Sequence, residues 1–130
     1  MTPELTALAL AGLLQGAQFT AFSIAANRQV GPKVAMGTRD HTPALTGKAA
    51  RLQRAMNNHF EGLVLFTVAV VVVSLGGAGS AFTVFCAWLY LLARTLYVPA
   101  YVFGWVPWRS MIWAVGFAAS ILMILAALIN

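Results

Sequence analysis

Four apolar blocks constrain this chain more than any other feature. Residues 5–26 carry no charge, residues 60–75 carry only Glu61, residues 81–98 carry only Arg94, and residues 111–129 carry none. Each approaches the ~20 residues needed to cross a hydrocarbon core, once the polar start of the second block is counted. Only 8% of the residues are charged, where a soluble domain carries about a quarter. Little chain remains outside the blocks for a soluble domain. The reading is therefore all-α: an integral membrane four-helix bundle, one domain over residues 1–130, with helices at about 3–27, 49–75, 80–98 and 109–129.

The first block is not expected to be a cleaved signal peptide, because its flank holds Glu4 where a signal would carry positive charge. The single Cys86 excludes an intramolecular disulfide and reads as a small packing residue. The net charge of +5 is unevenly spread. Arg28, Lys33, Arg39, Lys48, Arg51 and Arg54 lie in or beside the first connection, against one acid, Asp40. Arg109 lies at the third connection, and the second, GGAGS, has no charge. That bias puts the first and third connections in the cytoplasm and both termini on the other side. It also accounts for the basic residues without nucleic acid as a partner.

The stretch RLQRAMNNHFE, residues 51–61, stands at the mouth of the second block. On a helix Arg51, Arg54, Asn58 and Glu61 fall within an arc of roughly 80°. An unpaired ion in an apolar medium is costly, so this stripe must face protein, water or a polar ligand. Arg51 on its own reads as a residue that snorkels to the interface. On the third block Tyr90, Arg94, Tyr97 and Tyr101 recur at helical spacing, with Pro99 predicting a bend or a helix end. Arg94 lies inside the span and needs an anionic partner. Glu61 is the nearest candidate in depth, and a bound anion is the other.

Smaller signals complete the pattern. Pro3 suits a helix start, and Thr46 suits the cap of the second helix. Gly12, Gly16 and Ala17 have the spacing that lets helices approach closely, and Gln15 and Gln18 read as interhelical hydrogen-bond formers. The breaker-rich segment 28–48 is a long loop, in which Asp40 and His41 read as a turn. Trp105, Trp108 and Trp113 read as interface anchors. His59 has no second His or Cys at ligand spacing, so no metal site is expected. There is no Gly-rich phosphate loop and no Ser/His/Asp arrangement.

Three motifs in order resemble one known family. R-x-x-R-A-x-x-N-x-x-E at Arg51, Arg54, Ala55, Asn58 and Glu61 is followed by A-R-x-x-Y-x-x-x-Y at Ala93, Arg94, Tyr97 and Tyr101, and then by Arg109-Ser110. This pattern resembles the MAPEG family, the membrane-associated proteins in eicosanoid and glutathione metabolism. The resemblance covers the chain from end to end, although Asn57 stands where some members have a second basic residue.

The resemblance implies a homotrimer in the lipid bilayer, expected in the bacterial inner membrane, with glutathione held between neighbouring subunits. It implies that Arg51, Arg54, Asn58, Glu61, Arg94, Tyr97 and Tyr101 hold the peptide, that Arg28 contributes from the adjacent subunit, and that Arg109 and Ser110 stabilise the thiolate. The chemistry suits those side chains: arginines pair with carboxylates, Glu61 with an ammonium, and a cation with a hydroxyl neighbour lowers a thiol pKa. The expected function is a glutathione-dependent transferase or peroxidase acting on lipophilic electrophiles. The alternative is a non-catalytic member that binds lipid or serves as a subunit of a larger membrane assembly.

Overall fold

The computed structural model describes residues 1–31 and 45–130. They form four α-helices: α1 (Pro3–Val30), α2 (Gly47–Leu75), α3 (Ala81–Val102) and α4 (Trp108–Ile129). All four are long and apolar enough to cross a membrane. Lys33, Arg39, Asp40 and His41, with the turn read there, lie outside the described residues.

Helices α1 and α3 begin where the sequence supplies a side-chain cap. Thr2 caps α1 by accepting the Leu5 N–H at 3.2 Å, with Pro3 next to it in the first turn. Ser80 and Thr83 form a reciprocal capping box at the start of α3. Thr46 occupies the cap position of α2, as expected, but its hydroxyl makes no cap bond. Its backbone is held instead by the Gln29 side chain, which donates to Thr46 O at 2.8 Å and accepts from Thr46 N at 3.1 Å. That clip ties the end of α1 to the start of α2.

Helix α3 corrects a predicted boundary. It continues through Pro99 to Val102 instead of ending near Val98. Arg51 donates to Val102 O at 3.3 Å and so satisfies a carbonyl of the last turn, where helix carbonyls lack intrahelical donors.

The core is built from Ala7 and Ala11 of α1, Phe66, Ala69, Val70 and Val73 of α2, Cys86, Ala87 and Tyr90 of α3, and Ala119 and Met123 of α4. Small side chains on α1 let it lie close against α2, and Phe66 stacks on Tyr90 with centroids 3.9 Å apart. Among the described residues α2 and α3 touch every other helix, while α1 and α4 do not touch each other. Gly12, Gly16 and Ala17 are exposed, so within one chain the close approach uses Ala7 and Ala11 instead. Gln15 does bond across helices: His59 Nδ1–H donates to its amide oxygen at 2.7 Å. Gln18 is buried, and among the described residues neither of its amide atoms has a partner.

The two ends of the bundle differ in kind. At the end where α1 and α3 begin, Glu4 is buried and accepts a hydrogen bond from Thr83 Oγ1 at 2.8 Å. At the other end α2 and α4 begin and α3 finishes, and the basic and aromatic residues gather there.

Candidate functional site

Helix geometry places the polar stripe of α2 opposite the Tyr–Arg series of α3. Arg94, only 2% exposed, donates from Nη2 to Asn58 Oδ1 at 2.9 Å. Its guanidinium also lies 4.5 Å from the Tyr97 ring centroid. The partner within the chain is thus a neutral amide and an aromatic face. Glu61, the acid that sequence reasoning offered, lines a cavity with Arg94, but among the described residues it makes no bond to it. Among the described residues the Arg94 Nε has no partner.

One turn closer to the bundle end, three side chains converge on Tyr101. Arg54 Nε donates to the Tyr101 hydroxyl at 3.1 Å. The Arg54 and Arg109 guanidiniums stand 5.8 and 4.8 Å from the Tyr101 ring centroid. Tyr97 and Tyr101 lie with centroids 5.7 Å apart. Cations over an aromatic face are attracted by its quadrupole, which holds these arginines near each other despite their like charge. Beside them opens a cavity of about 310 Å³, lined by Asn58, Tyr97, Tyr101, Arg109, Ser110 and Trp113. A second cavity of about 200 Å³ lies deeper, between Glu61, Tyr90, Arg94 and Phe117, and shares Asn58 and Trp113 with the first.

Of the residues singled out in the sequence, Arg54, Asn58, Arg94, Tyr97, Tyr101, Arg109 and Ser110 come together here. Glu61 joins through the deeper cavity. Arg51 lines neither cavity and turns toward Val102 and Gly104. Arg28 is exposed in the last turn of α1 and also lines neither. Trp113, read as an interface anchor, walls both cavities and stacks on Phe117 at 5.2 Å.

Sequence reasoning passed over Gly62 and Ser120, and it left Tyr90 out of the site despite naming its series. Ser120 carried a signal, as the only polar side chain in the run 111–129. Gly62 carried none, because the space it leaves depends on α3 packing across from it.

Chemically the arrangement is an anion-receiving one. Arg94 and Arg109, Ser110 and Ser120, and Tyr90, Tyr97 and Tyr101 line two cavities that share Asn58 and Trp113, near one end of a membrane-spanning bundle, and Arg54 bonds to Tyr101 beside them. Arginine forks match carboxylates, and a hydroxyl beside a cation can hold a developing anion. No curated protein and no solved structure matches the chain. The description of the MAPEG family matches residues 5–129, almost its whole length. Membership of that family points to a membrane protein with a glutathione-related function of transferase or synthase type. This integral membrane bundle, with its Arg/Asn/Glu stripe facing an Arg/Tyr series, belongs to the MAPEG family.

Proposed function

We propose that the protein is a membrane-bound, glutathione-dependent transferase or peroxidase acting on lipophilic electrophiles. The observation that carries this reading is the cavity of about 310 Å³ lined by Tyr97, Tyr101, Arg109 and Ser110, with Arg54 bonded to the Tyr101 hydroxyl at its edge. Glutathione is consumed as a substrate, and its groups match the side chains present. Its carboxylates suit Arg54 and Arg94, and its ammonium suits Glu61. Asn58 can donate and accept along the peptide, and Tyr97 and Tyr101 supply walls and hydroxyls. The contact of Arg109 with the Tyr101 face leaves its N–H groups for an anion. With Ser110 next to it, the fitting anion is the thiolate, since a thiol ionises more readily beside a cation.

The proposed assembly is a homotrimer with glutathione between subunits and Arg28 contributed by the neighbour. Two features support it: Arg28 stands exposed at the end of α1, and Gly12, Gly16 and Ala17 form an uncovered small-residue surface on the same helix. By the distribution of Lys and Arg, the end bearing the site faces the cytoplasm, in a bacterial inner membrane, and both termini face away.

The test is purified protein in nanodiscs with glutathione and an aryl halide. Calorimetric binding of glutathione and glutathione-dependent halide release are expected. A folded protein that neither binds glutathione nor turns over leaves the lipid-binding or scaffold reading in its place. Native mass spectrometry in a mild detergent is expected to give a trimer, and a monomer that binds glutathione would remove the intersubunit site.

A further inference from the structure

The start of α2 and the α3–α4 connection form a surface outside both cavities. Lys48 and Arg51 stand three residues apart on α2, so they share one face. Both reach across to the connection. Arg51 Nη1 donates to Val102 O at 3.3 Å, and the Lys48 ammonium lies 5.3 Å from the Phe103 ring centroid. Both side chains are exposed. Beside them Phe103, Trp105, Val106 and Trp108 are between 47% and 71% exposed, and the ring centroids of Phe103 and Trp105 lie 6.1 Å apart. Two cations therefore rim an apolar, aromatic surface.

Charge is unbalanced there. Among the described residues the acids are Glu4, at the opposite end of the bundle, and Glu61, ten residues beyond Arg51 and so roughly 15 Å along α2. The sequence places Arg28, Lys33, Arg39, Lys48, Arg51 and Arg54 in or beside the first connection against one acid, Asp40. The first turn of α2 holds no acid, so the helix dipole opposes Lys48 without relief. An anion between Lys48 and Arg51 answers both charges.

Depth decides what kind of anion. Helices α3 and α4 are both long and apolar enough to span the membrane and they meet at this connection, which puts it at the boundary between hydrocarbon and water. Tryptophan favours that level. A phospholipid phosphate is already held there, and its chains can cover Phe103, Trp105 and Val106. A second copy of the chain fits poorly. Copies related by rotation about the membrane normal stand at equal depth, so each would offer the same basic end.

We propose that Lys48 and Arg51 hold the phosphate of an anionic glycerophospholipid, whose chains lie against the aromatic surface of the α3–α4 connection. Arg51 has five N–H groups and gives one to Val102 O, which leaves the others for phosphate oxygens. A zwitterionic lipid fits less well, because it brings a cation of its own to the two already present. The site stands apart from the glutathione reading and does not depend on catalysis.

The test is native mass spectrometry of the full chain in a mild detergent, titrated with phosphatidylglycerol and, separately, with phosphatidylcholine of the same chains. The first lipid is expected to bind about 25-fold more tightly as phosphatidylglycerol, each of the two basic residues contributing about fivefold. Lys48→Gln is expected to lose about fivefold of that preference, and Lys48→Arg to keep it. In nanodiscs, hydrogen exchange at residues 102–106 is expected to be slower with phosphatidylglycerol than with phosphatidylcholine alone, and the difference to shrink in Lys48→Gln. Glutathione affinity is expected to be the same in wild type and Lys48→Gln. Should Lys48→Gln fail to fold, Trp105→Ser decides: its phosphatidylglycerol affinity is expected to fall, and wild-type affinity overturns the proposal. Equal binding of the two lipids by wild type overturns it, as does a folded Lys48→Gln protein with the wild-type preference. Displacement of phosphatidylglycerol by an equal concentration of its free headgroup, glycerophosphoglycerol, shows that the chains contribute nothing and overturns the lipid as occupant. A Lys48→Gln protein whose oligomeric mass changes while its lipid preference does not gives the surface to a contact between copies and overturns the proposal too.

Discussion

Glu4 and Arg94 are both buried ions in an apolar bundle, one near each end, and the chain treats them differently. Glu4 sits in the first turn of α1, accepts the Thr83 hydroxyl, and lies beside the capped start of α3. Helix N-termini favour negative charge, so this carboxylate is stabilised by two of them as well as by a hydrogen bond. Among the described residues Arg94 has a neutral amide and an aromatic face for partners, and its Nε has none. A satisfied buried ion is a structural element, whereas one left short of partners is held ready for a ligand. The difference separates a fastening end from a binding end.

The largest test of that contrast is Arg109→Ala at the binding end. Removing an oxyanion-type donor costs about 10²–10³ in rate, and that loss is expected here while glutathione affinity changes little. The arginine meets full negative charge only when the sulfur is ionised, so the ultraviolet thiolate absorbance of bound glutathione should vanish as well. If folded Arg109→Ala protein keeps wild-type turnover, Arg109 only anchors α4 and Arg94 becomes the thiolate candidate.

Next in size come Arg54→Ala and Glu61→Gln. On the proposed function each removes a charge-assisted bond to glutathione, a loss of about 1.5–3 kcal/mol, or roughly tenfold to hundredfold in affinity. Calorimetry on folded protein is the measurement. Equal affinity in wild type and both variants would return these side chains to a packing role.

At the fastening end the effect should fall on stability alone. Thr83→Val keeps the shape of the side chain but strands the Glu4 carboxylate and the Ser80 N–H, which the same hydroxyl serves. Leaving a buried acceptor unpaired costs about 1–3 kcal/mol, read as a lower thermal midpoint in detergent. Glutathione affinity per folded molecule should stay within error. A drop in affinity comparable with that of Arg54→Ala would mean that the two ends are coupled and the contrast is false.

These tests bear on how far the sequence could be read. The four spans were visible because apolar length and the near absence of charge are local properties. The α2 stripe and the α3 series were visible because helical periodicity brings Arg54, Asn58 and Glu61 onto one face, and Arg94, Tyr97 and Tyr101 into line. What escaped was set by packing between helices. The Arg94–Asn58 bond, the choice of His59 as the partner of Gln15 and the space beside Gly62 exist only once α1, α2 and α3 are placed together. Pro99 misled for a related reason: it removes one N–H from α3, yet tertiary contacts such as that of Arg51 let the helix run on.

Arg51 gives the smallest and sharpest test, because sequence and structure assign it different work. Its place on the α2 stripe, and the family motif, put it with the residues that hold glutathione. In the fold it donates to Val102 O, and a Cβ on Gly104 would lie 3.5 Å from its Nη1. It thus closes the end of α3 onto the start of α2, next to Lys48, which stands 5.3 Å from the Phe103 ring centroid. A substitution that removes the charge, Arg51→Gln, should therefore loosen the α3–α4 connection more than the peptide site. Hydrogen exchange is expected to rise at residues 102–106, while glutathione affinity moves less than about threefold, the scale of one exposed, solvent-screened contact. An affinity loss as large as that of Arg54→Ala would show that Arg51 leaves Val102 when glutathione binds. The stripe read from the sequence would then be the working one, and the Val102 contact a resting position of the same side chain.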